Sequence, residues 1–239
     1  MLSSLQASYS FAQSLKPEDW VAVISYDMRP HILVDFTQDK HGVYQGLRQL
    51  SYPGFSETNL FDALYDTLDR LDGVEGRKYI ILVSSGCDSF SRLTYDDILK
   101  KVKATPNVTI FTVATGEAFL RRLDAYAGDD FRVRGMQIEF LQAKNQLATF
   151  ARLTGGRSFV PQFEAEFPQI FQEIAGSIRQ QYKLSYKPSN PKQDGTFRKI
   201  KVEVVAPNGQ PLKVLNEKGK EVKYQVLARD GYNARREVE

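Results

Sequence analysis

Apolar residues recur at helical spacing near the start of the chain, at Leu2, Leu5, Tyr9 and Ala12, and Pro17 closes the run. Two β-rich stretches follow, "WVAVISYD" (20–27) and "HILVDFT" (31–37), and the "MRP" between them predicts a hairpin. Residues 42–50 predict a short helix and "SYPGFSE" a loop. Leu60, Ala63, Leu64, Leu68 and Leu71 mark a second amphipathic helix, closed by Gly73. "KYIILVSS" (78–85) is a continuous apolar run, the pattern of a parallel strand buried on both faces. Thr94 and Asp97 have the spacing of a capping box for a helix through Val102. "NVTIFTVAT" (107–115) predicts the next strand, and residues 116–136 read as an irregular, charged insertion. A helix over 137–153 is expected to stop at Gly155–Gly156, with the short strand "RSFVP" after it. Phe163, Phe167, Ile170, Phe171, Ile174 and Ile178 stripe a last helix.

From Tyr182 the period changes from helical to two. "YKLSYKP" (182–188), "FRKIKVEVV" (197–205) and "EVKYQVLAR" (221–229) alternate apolar and polar residues, with "KQDGT", "PNGQ" and "NEKGK" supplying turns. The order is alternating α and β up to about residue 180, then antiparallel strands. This predicts a doubly wound α/β domain over 1–180 and a small antiparallel β extension over 181–239.

Composition narrows the function classes. No stretch approaches eighteen consecutive apolar residues, so no membrane span is expected. The first twenty residues lack the charged and apolar regions of a signal peptide. One cysteine and two histidines exclude a disulfide framework and a Cys/His zinc cluster. The net charge of +3 is unevenly spread, with +6 on residues 181–239 and −3 on residues 1–180. In the basic part, charged and apolar residues alternate as on a strand with one wet face. No nucleic-acid partner is expected from it.

In a doubly wound sheet, ligands gather outside the carboxyl ends of the strands. Three stretches would converge there: "GFSETN" (54–59), "SSGCDS" (84–89) and "ATGEAF" (114–119). Neither glycine-rich nucleotide signature occurs. Cys87 at a strand end suggests a nucleophile, but a phosphatase loop needs an arginine six positions on, where Leu93 stands. His31 and His41 are expected at the other side of the sheet, out of reach. A plain, partly buried thiol is the competing reading of Cys87. Asp62 reads as support for a helix N-terminus, Thr58 as the N-cap of a helix over 59–71, and Asp88 as turned toward the helix that follows it.

"ETNLFDAL" followed about two dozen residues later by "ILVSSGCD" resembles the von Willebrand factor type A (VWA) domain. "IRQQYKLSYKPSN", "DGTFRKIKVEV" and "ARDGY" resemble the C-terminal part of the acidobacterial-type VWA-related family. The resemblance implies a Rossmann-like sheet whose carboxyl edge carries a metal-ion-dependent adhesion site. Thr58 matches that site's threonine. Ser85 stands where the family's "SDG" places an aspartate, and the family's D-x-S-x-S motif, with the central strand before it, has no counterpart in this chain. By the resemblance the chain is a VWA sheet truncated at its N-terminus and lacking its first central strand. Either strands 20–27 and 78–85 close that gap by pairing, or their edges stay open. Export from a bacterial cell is also implied.

The expected function is a non-catalytic protein-binding module with a degenerate metal site. It would bind an unidentified protein partner through Ser56, Glu57, Thr58, Asn59, Ser84, Ser85 and Asp88. No cofactor is expected, with Mg²⁺ only as a weak occupant at Thr58. Two alternatives stay open: a hydrolase with Cys87 or Ser85 as nucleophile, and a scaffold that works through its β extension.

Overall fold

A computed structural model describes residues 2–50, 58–118, 120–121, 131–182 and 184–234. The chain opens with α1 (Leu2–Ser14), then β1 (Val21–Tyr26) and β2 (Pro30–Thr37) pair antiparallel as the predicted hairpin. Helices α2 (Lys40–Arg48) and α3 (Leu60–Asp72) precede β3 (Lys78–Ser84). Next come α4 (Tyr95–Ala104), β4 (Val108–Ala114), α5 (Phe131–Thr154), β5 (Ser158–Phe159) and α6 (Phe167–Arg179). β3, β4 and β5 form a parallel sheet in that order.

The strand alternation sorts side chains into two cores, one on each face of this sheet. Ile80 and Leu82 of β3 and Val108 and Ile110 of β4 join Leu60, Leu64, Leu68, Ile98, Leu147 and Phe150 beneath α3, α4 and α5. Tyr79 and Ile81 of β3 and Phe111 and Val113 of β4 turn the other way. They meet Ala7 of α1 and Phe167, Phe171 and Ile174 of α6. Helices on both faces of a parallel sheet make the doubly wound, three-layer α/β architecture.

The capping box of α4 forms as predicted, with Thr94 and Asp97 each bonding the other's backbone N–H. The C-terminus of α3 is closed by a cation. Lys78 Nζ donates to the carbonyls of Leu71 and Val74, both at 2.9 Å, which complements the negative end of the helix.

Among the described residues no ladder joins the β1–β2 hairpin to the β3–β4–β5 sheet. Strands 20–27 and 78–85 therefore do not pair. Helices span them instead. On one face α1 packs Ala7 and Phe11 with Tyr79 and Ile81, and Ala12 with Val21 and Val23. On the other, Tyr26 of β1 packs into the α3 core with Ile80 and Leu82. Among the described residues, β1 and β3 each keep an edge with no strand beside it.

Three expectations change. α5 begins at Phe131, inside the stretch read as irregular, while residues 122–130 lie outside the described residues. Residues 184–188 carry no strand, because no neighbouring strand offers them a ladder; Leu184 and Tyr186 stand exposed. The other two predicted strands of the extension shorten to β6 (Phe197–Lys199) and β8 (Glu221–Val222), which pair with β9 (Gly231–Asn233) and β7 (Val214–Leu215). Two of the three predicted turns, "PNGQ" and "NEKGK", form. Asn208 and Asn216 accept backbone N–H bonds within them, and Gly209 and Gly219 take positive φ. This segment rests on α4 and α5: Arg229 donates to the Thr105 carbonyl, Asp230 pairs with Arg152, and Lys103 lies over the Phe197 ring.

Candidate functional site

The carboxyl ends of β3 and β4 and the N-terminus of α3 meet at one edge. Thr58, Asn59, Ser84, Ser85 and Asp88 are brought together there, while Ser56 and Glu57 lie outside the described residues. Thr58 is tied into the β3–α4 loop. Its hydroxyl donates to the Cys87 carbonyl at 2.7 Å, its N–H meets Ser89 Oγ, and its carbonyl accepts from Ser89 and Phe90.

Thr58 does not cap α3. The N-cap position belongs to Asn59, whose side chain makes no capping bond. Instead Asn59 Nδ2 donates to the Met28 carbonyl at 2.9 Å, and its backbone N–H to the Asp27 carbonyl at 2.8 Å. The residue is buried and its Oδ1 has no protein partner among the described residues. Asn59 therefore fastens the β1–β2 turn to the site.

The α3 N-terminus is capped from another loop. Asp88 Oδ1 accepts from the Phe61 N–H at 3.2 Å, and Ser91 Oγ accepts from the Phe61 and Asp62 N–H groups, both at 3.1 Å. Ser91 in turn donates to Asp88 at 2.6 Å. Asp88 thus turns back to the preceding helix rather than toward the following one, because α3 presents unpaired N–H groups there. Asp62 returns the bond: its carboxylate accepts from the N–H groups of Arg92 (3.1 Å) and Leu93 (3.0 Å). Its role is wider than support for its own helix.

The "SSG" turn is built by the two serines. Ser84 Oγ accepts from the Gly86 N–H at 2.9 Å and Ser85 Oγ from the Cys87 N–H at 3.4 Å. Gly86 sits at φ +85°, and a Cβ there would lie 2.9 Å from Leu147 Cδ1 and 3.0 Å from Ala143 Cβ. A glycine is required on both counts. Burial pushes the Tyr26 phenol of β1 up to about 12, against the opposing effect of nearby Ser84.

Burial also pushes the Cys87 thiol up, with Ser85 acting the other way and Glu139 adding to the rise. A thiol above its usual pKa is a poor nucleophile at neutral pH. His31, second residue of β2, stands on this edge after all, since the adjoining β1–β2 turn is bonded to Asn59. Its Nε2 lies 3.2 Å from Asp27 Oδ1, whose carboxyl is held low first by the Arg29 N–H and then by His31. The order of strands placed it there, and nothing in the local sequence signals that. Among the described residues no three of His, Cys, Asp or Glu gather as a metal site would need.

The edge also holds a cavity of about 510 Å³ between Ser85, the start of the segment after β4, and α5. Sequence reasoning placed "ATGEAF" at this edge but did not foresee the cavity, because its second wall comes from α5, over twenty residues on.

The comparisons bear on the fold. The profile of the family described as von Willebrand factor type A domain matches residues 2–144. The structure is similar to a von Willebrand factor type A protein from Catenulispora acidiphila, with a TM-score of 0.52 at 14% identity. That match covers 73% of this chain but only 37% of the other, so the chain spans little over a third of it. It is also similar to the vWF domain of the type V pili tip protein Mfa5 from Porphyromonas gingivalis, with a TM-score of 0.54 at 15% identity over 77% of this chain and 90% of that one. Proximal thread matrix protein 1 from the mussel byssus gives a TM-score of 0.51 at 12% identity, over 73% of this chain and 43% of that one. No curated protein sequence matches the chain. The loop–helix–strand frame around Thr58 and Ser85 and the matched profile lead to one conclusion: the chain belongs to the von Willebrand factor type A domain family.

Proposed function

We propose that this protein is a non-catalytic protein-binding module whose carboxyl-edge loops carry a degenerate metal-ion-dependent adhesion site. One observation carries the reading. At the junction of α3 with the β3–α4 loop, the carboxylates of Asp62 and Asp88 are both engaged with backbone N–H groups, and the Thr58 hydroxyl proton is given to the Cys87 carbonyl. Thr58 and Ser85 themselves offer only neutral hydroxyl oxygen. A hard divalent cation takes several oxygen ligands including carboxylate, so this donor set does not fit Mg²⁺ or Mn²⁺. Partner contact then falls to loop shape and to the hydrogen-bonding groups of Thr58, Ser84, Ser85, Asp88 and Asn59, with Ser56 and Glu57 beside them in sequence.

The separate hairpin and sheet support a second part of the proposal: the chain is an N-terminally truncated VWA domain of the acidobacterial-type subfamily. The place between β1 and β3 is that of the first central strand. Its α/β part (1–180) and β extension (181–239) are two domains, and its home is a secreted or periplasmic bacterial protein. A pili tip protein from Porphyromonas gingivalis and a von Willebrand factor type A protein from Catenulispora acidiphila among the similar structures favour the bacterial setting.

The hydrolase alternative is disfavoured by the raised Cys87 thiol. Isothermal titration with Mg²⁺ and with Mn²⁺ tests the reading. Expected is no site tighter than about millimolar, the weak end for oxygen ligands. A micromolar site would overturn it.

A further inference from the structure

We infer that the cavity beside Ser85 is a binding site for small organic carboxylates with an apolar body. It shares Ser85 with the protein-partner reading, while its other lining residues form a different wall of the same edge. At about 510 Å³ the cavity is within the size range of small-molecule sites, and it lies where doubly wound sheets hold ligands.

Its walls divide by chemistry. Leu120, Phe140, Leu141 and Val160 supply apolar surface. Gly116 makes room for this wall: a Cβ on it would lie 2.3 Å from the Phe140 ring, so the ring packs flat on the backbone. Leu141 is 53% exposed, an apolar side chain on the cavity wall left open to solvent.

The charged groups are Lys144, Arg121 and Glu117. Lys144 Nζ lies 3.5 Å from Glu117 Oε2, and both side chains are only part-exposed. The Arg121 guanidinium is held 5.8 Å over the Phe163 ring, which keeps it at the rim. Among the described lining residues, two cations stand against one carboxylate, a positive balance. A carboxylate entering beside Lys144 would replace a long, off-optimum pairing with a charge-assisted hydrogen bond. Ser85, the residue in the position of the family's aspartate, adds a neutral hydroxyl instead of a repelling charge.

Such a carboxylate could belong to a free acid or to the C-terminal residue of a peptide. The test is titration of the ¹⁵N-labelled full chain with N-acetyl-phenylalanine, with its neutral amide, and with a tetraglycyl-phenylalanine peptide, following backbone amide shifts. Expected are saturating shifts at Gly116, Ser85 and Val160 with the acid, at a Kd of about millimolar. The amide should bind about tenfold more weakly. Saturation by the peptide as well marks a chain terminus as acceptable; saturation by the acid alone marks a free acid as the ligand. Lys144→Met should erase the preference for acid over amide. Glu117→Gln should strengthen acid binding several-fold by removing the competing charge, which a merely structural role would not produce. Equal binding of acid and amide, or no shifts at these residues, would overturn the inference. If Lys144→Met fails to fold, as its spectrum would show, Glu117→Gln decides.

Discussion

Asp62 and Asp88 exchange their hydrogen bonds: each sits on one element and satisfies the backbone N–H groups of the other. Asp62 leaves α3 to hold Arg92 and Leu93, and Asp88 leaves the loop to hold Phe61. Residues about thirty apart in sequence are locked by two carboxylates that metal chemistry could otherwise have used.

Removing either carboxylate should cost stability as the loss of a helix cap does, about 1–2 kcal/mol. Asp88→Ala and Asp62→Ala, measured by urea unfolding, are expected to fall in that range. Because the two residues clamp one junction, the double variant should cost less than the sum of the singles. Strict additivity would show that the two caps act independently.

Cys87 should behave as an ordinary, partly buried thiol. Iodoacetamide labelling at neutral pH is expected to be slow, and to accelerate only as pH rises past the usual thiol range, because burial raises its pKa. Cys87→Ser should leave any partner binding intact. Rapid labelling at pH 6 together with acylation by an ester substrate would restore the nucleophile.

Alkaline pH should loosen the junction between β1 and β3. Tyr26 titrates near 12 in the fold against 10.0 for the free side chain. Its folded pKa lies above its unfolded one, so its contribution is complete below pH 10 and is lost as pH rises toward 12. Tyr26→Phe keeps the ring and removes the ionisation. Its stability should fall less between pH 10 and 12 than that of the parent, as read by denaturant midpoints. Identical losses in the two proteins would mean that Tyr26 does not carry this effect.

The open edges of β1 and β3 should show in the melt. A buried strand of about six residues is worth on the order of ten kcal/mol, against about 5–15 for a whole domain. Residues 1–239 expressed alone are expected to unfold with low cooperativity and with a midpoint that depends on concentration, since open strand edges template association. Circular dichroism at several concentrations measures this. A reversible, cooperative monomer melt above about 50 °C, the ordinary mesophile range, would contradict it.

Most of the α/β part was legible because its elements carry their own period. Leu60, Leu64, Leu68 and Leu71 announce α3, and the unbroken run at 78–85 announces a strand with helices on both faces. Thr94 and Asp97 are three residues apart, so their box could be read directly. The site was less legible. The Asp88–Phe61 bond joins residues 27 apart, and the sequence carries no mark of it. The position of His31 depends on which end of β1 meets Asn59. In "YKLSYKP" the two-residue period was real, but a strand also needs a neighbour, and the pattern of one segment does not supply one.

The hairpin meets the rest of the protein through side chains of α1, α2, α3 and β3, with Asn59 holding its turn by one backbone and one side-chain hydrogen bond. A body attached this way is its own cooperative unit. Its amides can exchange with solvent through a local opening that leaves the parallel sheet closed, at a free energy below that of global unfolding. The β1–β2 amides therefore form one early-exchanging group and those of β3 and β4 a late one, so the boundary between them runs along the line where no ladder forms.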